Sequence, residues 1–291
     1  MKPAPFEYMA PQTLESALSA VRQYGYDSKL LAGGQSLIPL LNFRLAKPAV
    51  LIDLNGVEDL DFVRVSSDGG LRIGAMTRQS RLEKDPLIAE RAPLLTEAVP
   101  FIAHPQIRNR GTLGGTLAHA DPAAELPTVA LALDARLRLR SEEGERWVDA
   151  RDFFVGLLTT ALAAEEILVE IEIPPLPDRT GWSFLEVSRR HGDYALAGLA
   201  AGVTLDEAGV CTSAHLVFLS AGEGPLNARG ATEMLTGSIP DDRLIEEVAR
   251  QAAEVEVEPT GDIHASAEFK RHLCHVLTER ALKAANRRAR S

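Results

Sequence analysis

Apolar residues recur at Leu14, Ala17, Leu18 and Val21, the i, i+3, i+4, i+7 spacing of one helical face. Thr13 stands in front of them as a candidate N-cap, and Gly25 behind them as a stop. Short apolar runs flank this stretch at Phe6–Met9, Lys29–Ala32 and Ala49–Leu54, each too brief for a helix. The pattern predicts a β-α-β unit with a glycine pair at the end of its second strand.

Further along, Leu71–Ala75 reads as a strand, with Thr77 capping a helix through Leu82 and a mostly helical stretch over Pro86–Val99. A loop over Phe101–Arg110 precedes a second glycine stretch, and Ala123–Leu133 is an apolar helix. Arg136–Arg140 and Arg146–Asp149 alternate like a hairpin. Ile167, Val169, Ile171 and Ile173 fall on one face of a half-buried strand. Pro174-Pro175-Leu176-Pro177 is a stiff, non-helical boundary. Beyond it come strands at Trp182–Arg189, Leu196–Leu205 and Ala214–Ser220, then helices at Asn227–Leu235 and Asp241–Glu254. A final helix starts near Ser266, with Phe269, Leu273, Val276, Leu277 and Ala281 as its apolar stripe. Strands followed by helices make this half α+β.

Composition narrows the function. A net charge of −10 argues against a nucleic-acid partner. The one basic tract, Arg287-Arg288-Ala289-Arg290, reads as a solvated helix end. Two cysteines, Cys211 and Cys274, cannot furnish the four thiolates of an iron–sulfur cluster and have no zinc spacing. They point to a reduced, cytoplasmic chain. Met1–Pro5 lacks the apolar core of a signal peptide, and the longest apolar run, Ala195–Leu205, is about half a membrane span.

The candidate chemistry lies in two glycine stretches. The first is Leu31-Ala32-Gly33-Gly34-Gln35-Ser36-Leu37 and the second Gly111-Thr112-Leu113-Gly114-Gly115. Neither carries the lysine of a P-loop. Glycine permits positive φ and close approach, and successive N–H groups form an anion-binding nest. Two such loops suggest two backbone cradles closing on one phosphate-bearing ligand, against the plainer alternative of tight turns that bind nothing. Arg108 and Arg110 flank the second loop, either facing a phosphate or solvated at the surface. Asp121 before Pro122 reads as an N-cap with proline at N1. Glu125 is an acceptor for a ribityl or ribose hydroxyl, or an ordinary first-turn acid. Tyr194, in the polar turn Ser188–Ala195, is a ring-stacking residue or a half-buried hairpin tyrosine. His264, His272 and His275 lack an HExxH partner pattern, and His104 reads as loop packing.

Four blocks carry a resemblance: LAGGQSLIPLLNFRLAKP (Leu31–Pro48), HPQIRNRGTLGGTLAHADPAAELP (His104–Pro127), FLEVSRRHGDYALAG (Phe184–Gly198) and DIHASAEFKRHLCHVLTERAL (Asp262–Leu282). In order and spacing the chain resembles the FAD-binding medium subunits of molybdenum hydroxylases, of the carbon monoxide dehydrogenase and xanthine dehydrogenase flavoprotein type. The resemblance implies an α+β fold of the vanillyl-alcohol oxidase / p-cresol methylhydroxylase type. Two FAD-binding subdomains, 1–57 and 58–175, would precede a C-terminal α+β domain over 180–287. It places the pyrophosphate loops at Ala32–Ser36, flanked by Leu31 and Leu37, and at Gly111–Gly115. The family's acidic residue falls on Glu125, the strand position facing the flavin on Leu168, and the aromatic residue near the ring on Tyr194. One departure is the absence of the lysine that some members carry in the stretch occupied by Phe184-Leu185-Glu186.

By this resemblance the chain relays electrons from a partner's clusters through FAD to NAD, a quinone or another acceptor. A small subunit with two two-iron two-sulfur clusters and a large molybdopterin subunit would be its partners, in a dimer of heterotrimers. No catalytic acid or base is then required. The alternatives are a self-sufficient FAD-dependent oxidoreductase, with Tyr194 or His191 as its base, and a flavin-free scaffold.

Overall fold

The computed structural model describes residues 2–291; Met1, the first residue of the expected first subdomain, lies outside the described residues. The chain opens with β1 (Glu7–Met9), α1 (Leu14–Tyr24), β2 (Ser28–Leu31), α2 (Leu37–Asn42) and β3 (Val50–Asp53). The three strands form a parallel sheet in the order β1-β3-β2. Thr13 caps α1 by a reciprocal pair of hydrogen bonds with Ser16, and Gly25 ends it at φ +45°. Leu14, Ala17, Leu18 and Val21 pack onto Val50 and Ile52, which is why that apolar stripe exists.

The middle of the chain runs through β4 (Val63–Val65), β5 (Leu71–Gly74) and six short helices. These are α3 (Gln79–Leu82), α4 (Pro86–Arg91), α5 (Pro93–Ala98), α6 (Pro105–Arg108), α7 (Leu113–His119) and α8 (Glu125–Ala132). Then come β6 (Arg136–Arg140), β7 (Glu145–Asp149), α9 (Ala150–Phe153), a hairpin of β8 (Phe154–Gly156) and β9 (Thr159–Thr160), and β10 (Ile167–Ile173). The second sheet has the order β4-β5-β10-β6-β7 and is antiparallel. The third has the order β11-β12-β13-β14, from β11 (Thr180–Ser188), β12 (Ala195–Leu205), β13 (Cys211–Leu219) and β14 (Leu226–Asn227). Helices α10 (Arg229–Leu235), α11 (Asp242–Gln251) and α12 (Ala267–Arg290) follow.

The third sheet is covered on both faces. Phe184, Ala200, Val217 and Leu219 join a core with α5, α8 and the second sheet, while Leu199, Ala201, Leu216 and Phe218 pack under α10–α12. Every residue of β12 is therefore buried, which accounts for the longest apolar run in the chain. No helix among the described residues is long and apolar enough to cross a membrane.

Several expectations from the pattern are corrected. Thr77 does not cap α3: its hydroxyl donates to the Phe62 carbonyl, and Arg78 holds the cap position. The 86–99 stretch breaks at Ala92, because Pro93 has no N–H to continue the helix and starts a new one. Asp121 and Pro122 do not open a helix. The Asp121 carboxylate accepts from the Ala123 N–H at 2.9 Å in a turn, and α8 begins only at Glu125. The alternation of β10 is interrupted by a register shift between Leu168 and Glu170. Ile167 and Val169 consequently face the core under α1, while Leu168, Ile171 and Ile173 face the core shared with α5 and α8, and the strand is buried on both sides. On α12 the buried stripe is rotated away from half-exposed Phe269 onto Cys274, Leu277, Ala281, Leu282, Ala285 and Ala289. Small residues let this helix lie close to the sheet; a Cβ on Gly181 would strike the Ala285 carbonyl. Nor is the basic tail simply solvated. Arg288 bridges to Glu97 at 2.6 Å and donates to the Trp182 carbonyl, tying the end of α12 to α5 and β11.

Candidate functional site

A cavity of about 780 Å³ opens between the first sheet, the second sheet and the loop before β12. Ala32, Gly33, Gly34, Gln35, Ser36 and Leu37 line one wall. Gly111, Thr112, Gly114 and Gly115 line another, with Glu125, Leu168 and Tyr194 completing the set brought together from the sequence. Leu31 and Leu113 do not line it. Leu113 is buried in the core, and the Leu31 side chain sits behind the turn, 3.1 Å from where a Cβ on Gly34 would be.

The first loop is a run of free donors. The backbone N–H groups of Gly33, Gly34, Gln35, Ser36 and Leu37 donate to no protein acceptor among the described residues. Gly34 takes φ +75°, a conformation that turns successive amides toward one point. The second loop differs from the expected second cradle. Its Gly111, Leu113 and Gly114 N–H groups donate to the carbonyls of Ile107, Thr77 and Ala75, and that of Gly115 to the Thr112 hydroxyl. It packs closely on the first loop: a Cβ on Gly33 would collide with the Arg110 carbonyl and lie 2.7 Å from Gly111 Cα, and one on Gly115 would come within 3.2 Å of Ala32 Cβ. The two loops touch through glycine, with no side chain between them.

A polar latch holds them there. Asn55 donates to the Ala32 carbonyl at 3.0 Å and to Asp53, which also accepts the Tyr8 hydroxyl at 2.5 Å. Arg78 donates to Asn55 Oδ1 at 2.6 Å and to the Arg110 carbonyl at 2.5 Å, so its guanidinium links the second loop to the first through Asn55. Burial raises the Asp53 carboxyl, but hydrogen bonds from Tyr8 and Asn55 outweigh it and hold the group below its ordinary range. Asn55 and Arg78 were not visible as site residues; their spacing from the loops follows no local rule.

The flanking arginines separate. Arg108 is buried, paired with Glu83 at 3.0 Å and donating to the Ile102 carbonyl, so it faces no ligand. Arg110 is exposed, with its charge felt at Asp53. Glu125, which also lines the cavity, is 9% exposed with no partner for its carboxyl in any other residue, and burial pushes it up to about 7. Tyr194, 72% exposed, stands at the mouth on a loop whose Gly192 packs against His104. Apolar Ile102, Ala103, Ile107 and Leu168 also line the cavity. A main-chain anion nest, apolar lining and a hydroxyl acceptor in one cavity suit a dinucleotide carrying a planar ring.

Residues 4–176 match the FAD binding domain in molybdopterin dehydrogenase, and residues 182–285 the CO dehydrogenase flavoprotein C-terminal domain. The chain belongs to the FAD-binding subunits of the molybdenum hydroxylases. This flavoprotein subunit is 42% identical over 290 residues to the 6-hydroxypseudooxynicotine dehydrogenase complex subunit alpha of Paenarthrobacter nicotinovorans, covering 100% of this chain and 97% of that one. It superposes on a chain of the carbon monoxide dehydrogenase of Hydrogenophaga pseudoflava with a TM-score of 0.95, at 36% identity and 99% coverage of both. A chain of quinoline 2-oxidoreductase from Pseudomonas putida 86 gives 0.94, at 38% identity and 100% coverage of both. The flavoprotein subunit is thus an FAD-binding electron-transfer component of a multi-subunit molybdenum hydroxylase. Its fold is the expected vanillyl-alcohol oxidase / p-cresol methylhydroxylase type followed by an α+β domain.

Proposed function

We propose that the flavoprotein subunit holds the FAD pyrophosphate on the five N–H groups from Gly33 to Leu37, and that this grip fixes the flavin between a cluster-bearing partner and an external acceptor. The run of unpaired donors is the observation that carries the reading. Thr112, Gly114 and Gly115 close the opposite side, Glu125 accepts from a ribityl or ribose hydroxyl, Leu168 packs on the ring, and Tyr194 screens its edge from water at the mouth. FAD supplies the redox chemistry, taking electrons singly and delivering them in pairs. The chain binds, orients and shields. Residues 1–57 and 58–175 act as the two FAD-binding subdomains, and 180–287 as the flavoprotein domain behind them.

The partners in this reading are a small iron–sulfur subunit and a large molybdopterin subunit, in a cytoplasmic dimer of heterotrimers. Relatives named as subunits of dehydrogenase complexes support it. The test is to purify the chain, record its absorption spectrum and mix it anaerobically with the reduced iron–sulfur partner. Stoichiometric flavin, bleached only when the partner is present, is the expected result. A colourless chain that takes up no FAD would overturn it, as would a flavin reduced directly by a small organic substrate.

A further inference from the structure

The cavity extends past the first glycine loop along β2. Ser28, Lys29 and Leu30 line it there, as does Tyr26 on the single helical turn Gly25–Asp27. A strand rise of roughly 3.3 Å per residue sets Ser28 about 10 Å back along β2 from Leu31. β2 is the edge strand of the first sheet, paired with β3 on one side and with no strand on the other. A strand edge carries a row of N–H and C=O groups, which proteins ordinarily blunt or cover. Outside the pairing with β3, no backbone group among the described residues bonds to the main chain of Lys29, Leu30 or Leu31. The nearest side-chain bonds stop short of them, at the Gly25 carbonyl, which takes the Ser28 hydroxyl, and at the Ala32 carbonyl, which takes Asn55.

Tyr26 stands at the end of this open edge. Its ring is 92% exposed and belongs to none of the three cores. The backbone beneath it is fixed all the same. Gly25 turns the chain at φ +45°, the Ser28 hydroxyl donates to the Gly25 carbonyl at 2.9 Å, and the Ala49 N–H donates to that of Asp27 at 2.8 Å. A lone exposed tyrosine is ordinary. A tyrosine on an anchored turn, lining a cavity beside an uncovered strand edge, has a ring face free for a ligand.

We propose that this arm of the cavity takes the adenine of the dinucleotide, stacked on Tyr26 and met at its edge by the free main chain of β2. A purine offers a flat face to an aromatic ring. The edge of adenine sets an amine donor beside a ring-nitrogen acceptor, the complement of a C=O and an N–H. The donor run at Gly33–Leu37 follows directly on β2, so the adenosine half turns back along the strand from the pyrophosphate. Leu168 and Tyr194, assigned to the flavin ring, come from β10 and the loop before β12, which leaves the β2 arm to the adenosine. Tyr26 then sets the preference for FAD over FMN, because FMN ends at its phosphate and reaches neither the ring nor the edge.

The inference rests on the assignment of this cavity to FAD, and the test separates the two. FAD and FMN are titrated into the flavin-free full chain and followed by flavin fluorescence. Tyr26→Ala should bind FAD roughly tenfold more weakly than the wild type, the loss of one base–aromatic stack, and FMN equally well. Tyr26→Phe keeps the ring and should match the wild type with both. Equal FAD affinity of Tyr26→Ala and the wild type overturns the inference and leaves the site assignment standing. So does an equal loss for FAD and FMN, which marks a changed fold and not a lost stack. A wild-type chain that binds neither flavin removes the site and the inference together. Should FMN bind too weakly to measure, or Tyr26→Ala not fold, nuclear Overhauser contacts in the FAD-bound wild type decide. With ring protons kept only on the four tyrosines, cross-peaks from adenine H2 and H8 to Tyr26 support the stack, and their absence overturns it.

Discussion

Gly33→Ala is expected to purify without flavin and to bind added FAD roughly 100-fold more weakly than the wild type, the equivalent of two charge-assisted hydrogen bonds lost at about 1.5 kcal/mol each. The cause is steric. A Cβ at position 33 would run into the Arg110 carbonyl oxygen, lie 2.7 Å from Gly111 Cα and 2.9 Å from the Arg110 carbonyl carbon. All three atoms are backbone, so no rotamer change relieves the clash. The two loops must part, and parting them strains the Asn55–Arg78 latch and swings the free N–H groups off their common point. FAD titration of the refolded variant measures the loss. Gly156→Ala is the control, since nothing lies within 4 Å of a Cβ there, and its affinity should match the wild type. Equal affinities for Gly33→Ala and the wild type would show that contact between the loops does not matter.

Arg108→Ala should lower the unfolding free energy by about 3 kcal/mol, as expected when one member of a buried ion pair is removed. The guanidinium is buried against Glu83 at 3.0 Å and the Ile102 carbonyl at 3.0 Å, and the alanine leaves both without their donor. Because that guanidinium points away from the cavity, the folded fraction should bind FAD within about threefold of the wild type, a difference under 1 kcal/mol. Urea denaturation read beside an FAD titration checks both halves. A stable variant with lost affinity would place Arg108 on the phosphate after all. Exposed Arg110, by contrast, should change stability by under about 0.5 kcal/mol when replaced with alanine.

The contrast between these two arginines shows where sequence reading stops. Both flank the same glycines, and only the tertiary path of α6 decides that one is buried. Periodicity located α1, the hairpin of β6 and β7 and the strands of the third sheet, because each buries a face with a regular spacing. It failed on β10, where one register shift sends residues two apart to different cores. It failed again at Asp121, because an aspartate before proline serves a turn as readily as a helix start. The glycine pair at 33 and 34 was legible, since so few uses require adjacent glycines after a strand. Asn55 and Arg78 were not, because their value lies in reaching two carbonyls that sequence separation does not bring together. Glu186 stands out in the sequence only as the lack of a lysine, whereas its place opposite Gly198, with one carboxyl oxygen shut off from solvent, is a property of the folded sheet.

The most direct measurement of the anion nest is scalar coupling across hydrogen bonds, from the ³¹P nuclei of FAD to the backbone amides of the ¹⁵N-labelled chain. Couplings to amides within Gly33–Leu37, and none to Gly111, Leu113 or Gly114, are the predicted result, because those three N–H groups already donate to carbonyls of the protein. Couplings confined to the second loop, or to arginine side chains with the Gly33–Leu37 amides unmoved, would contradict it.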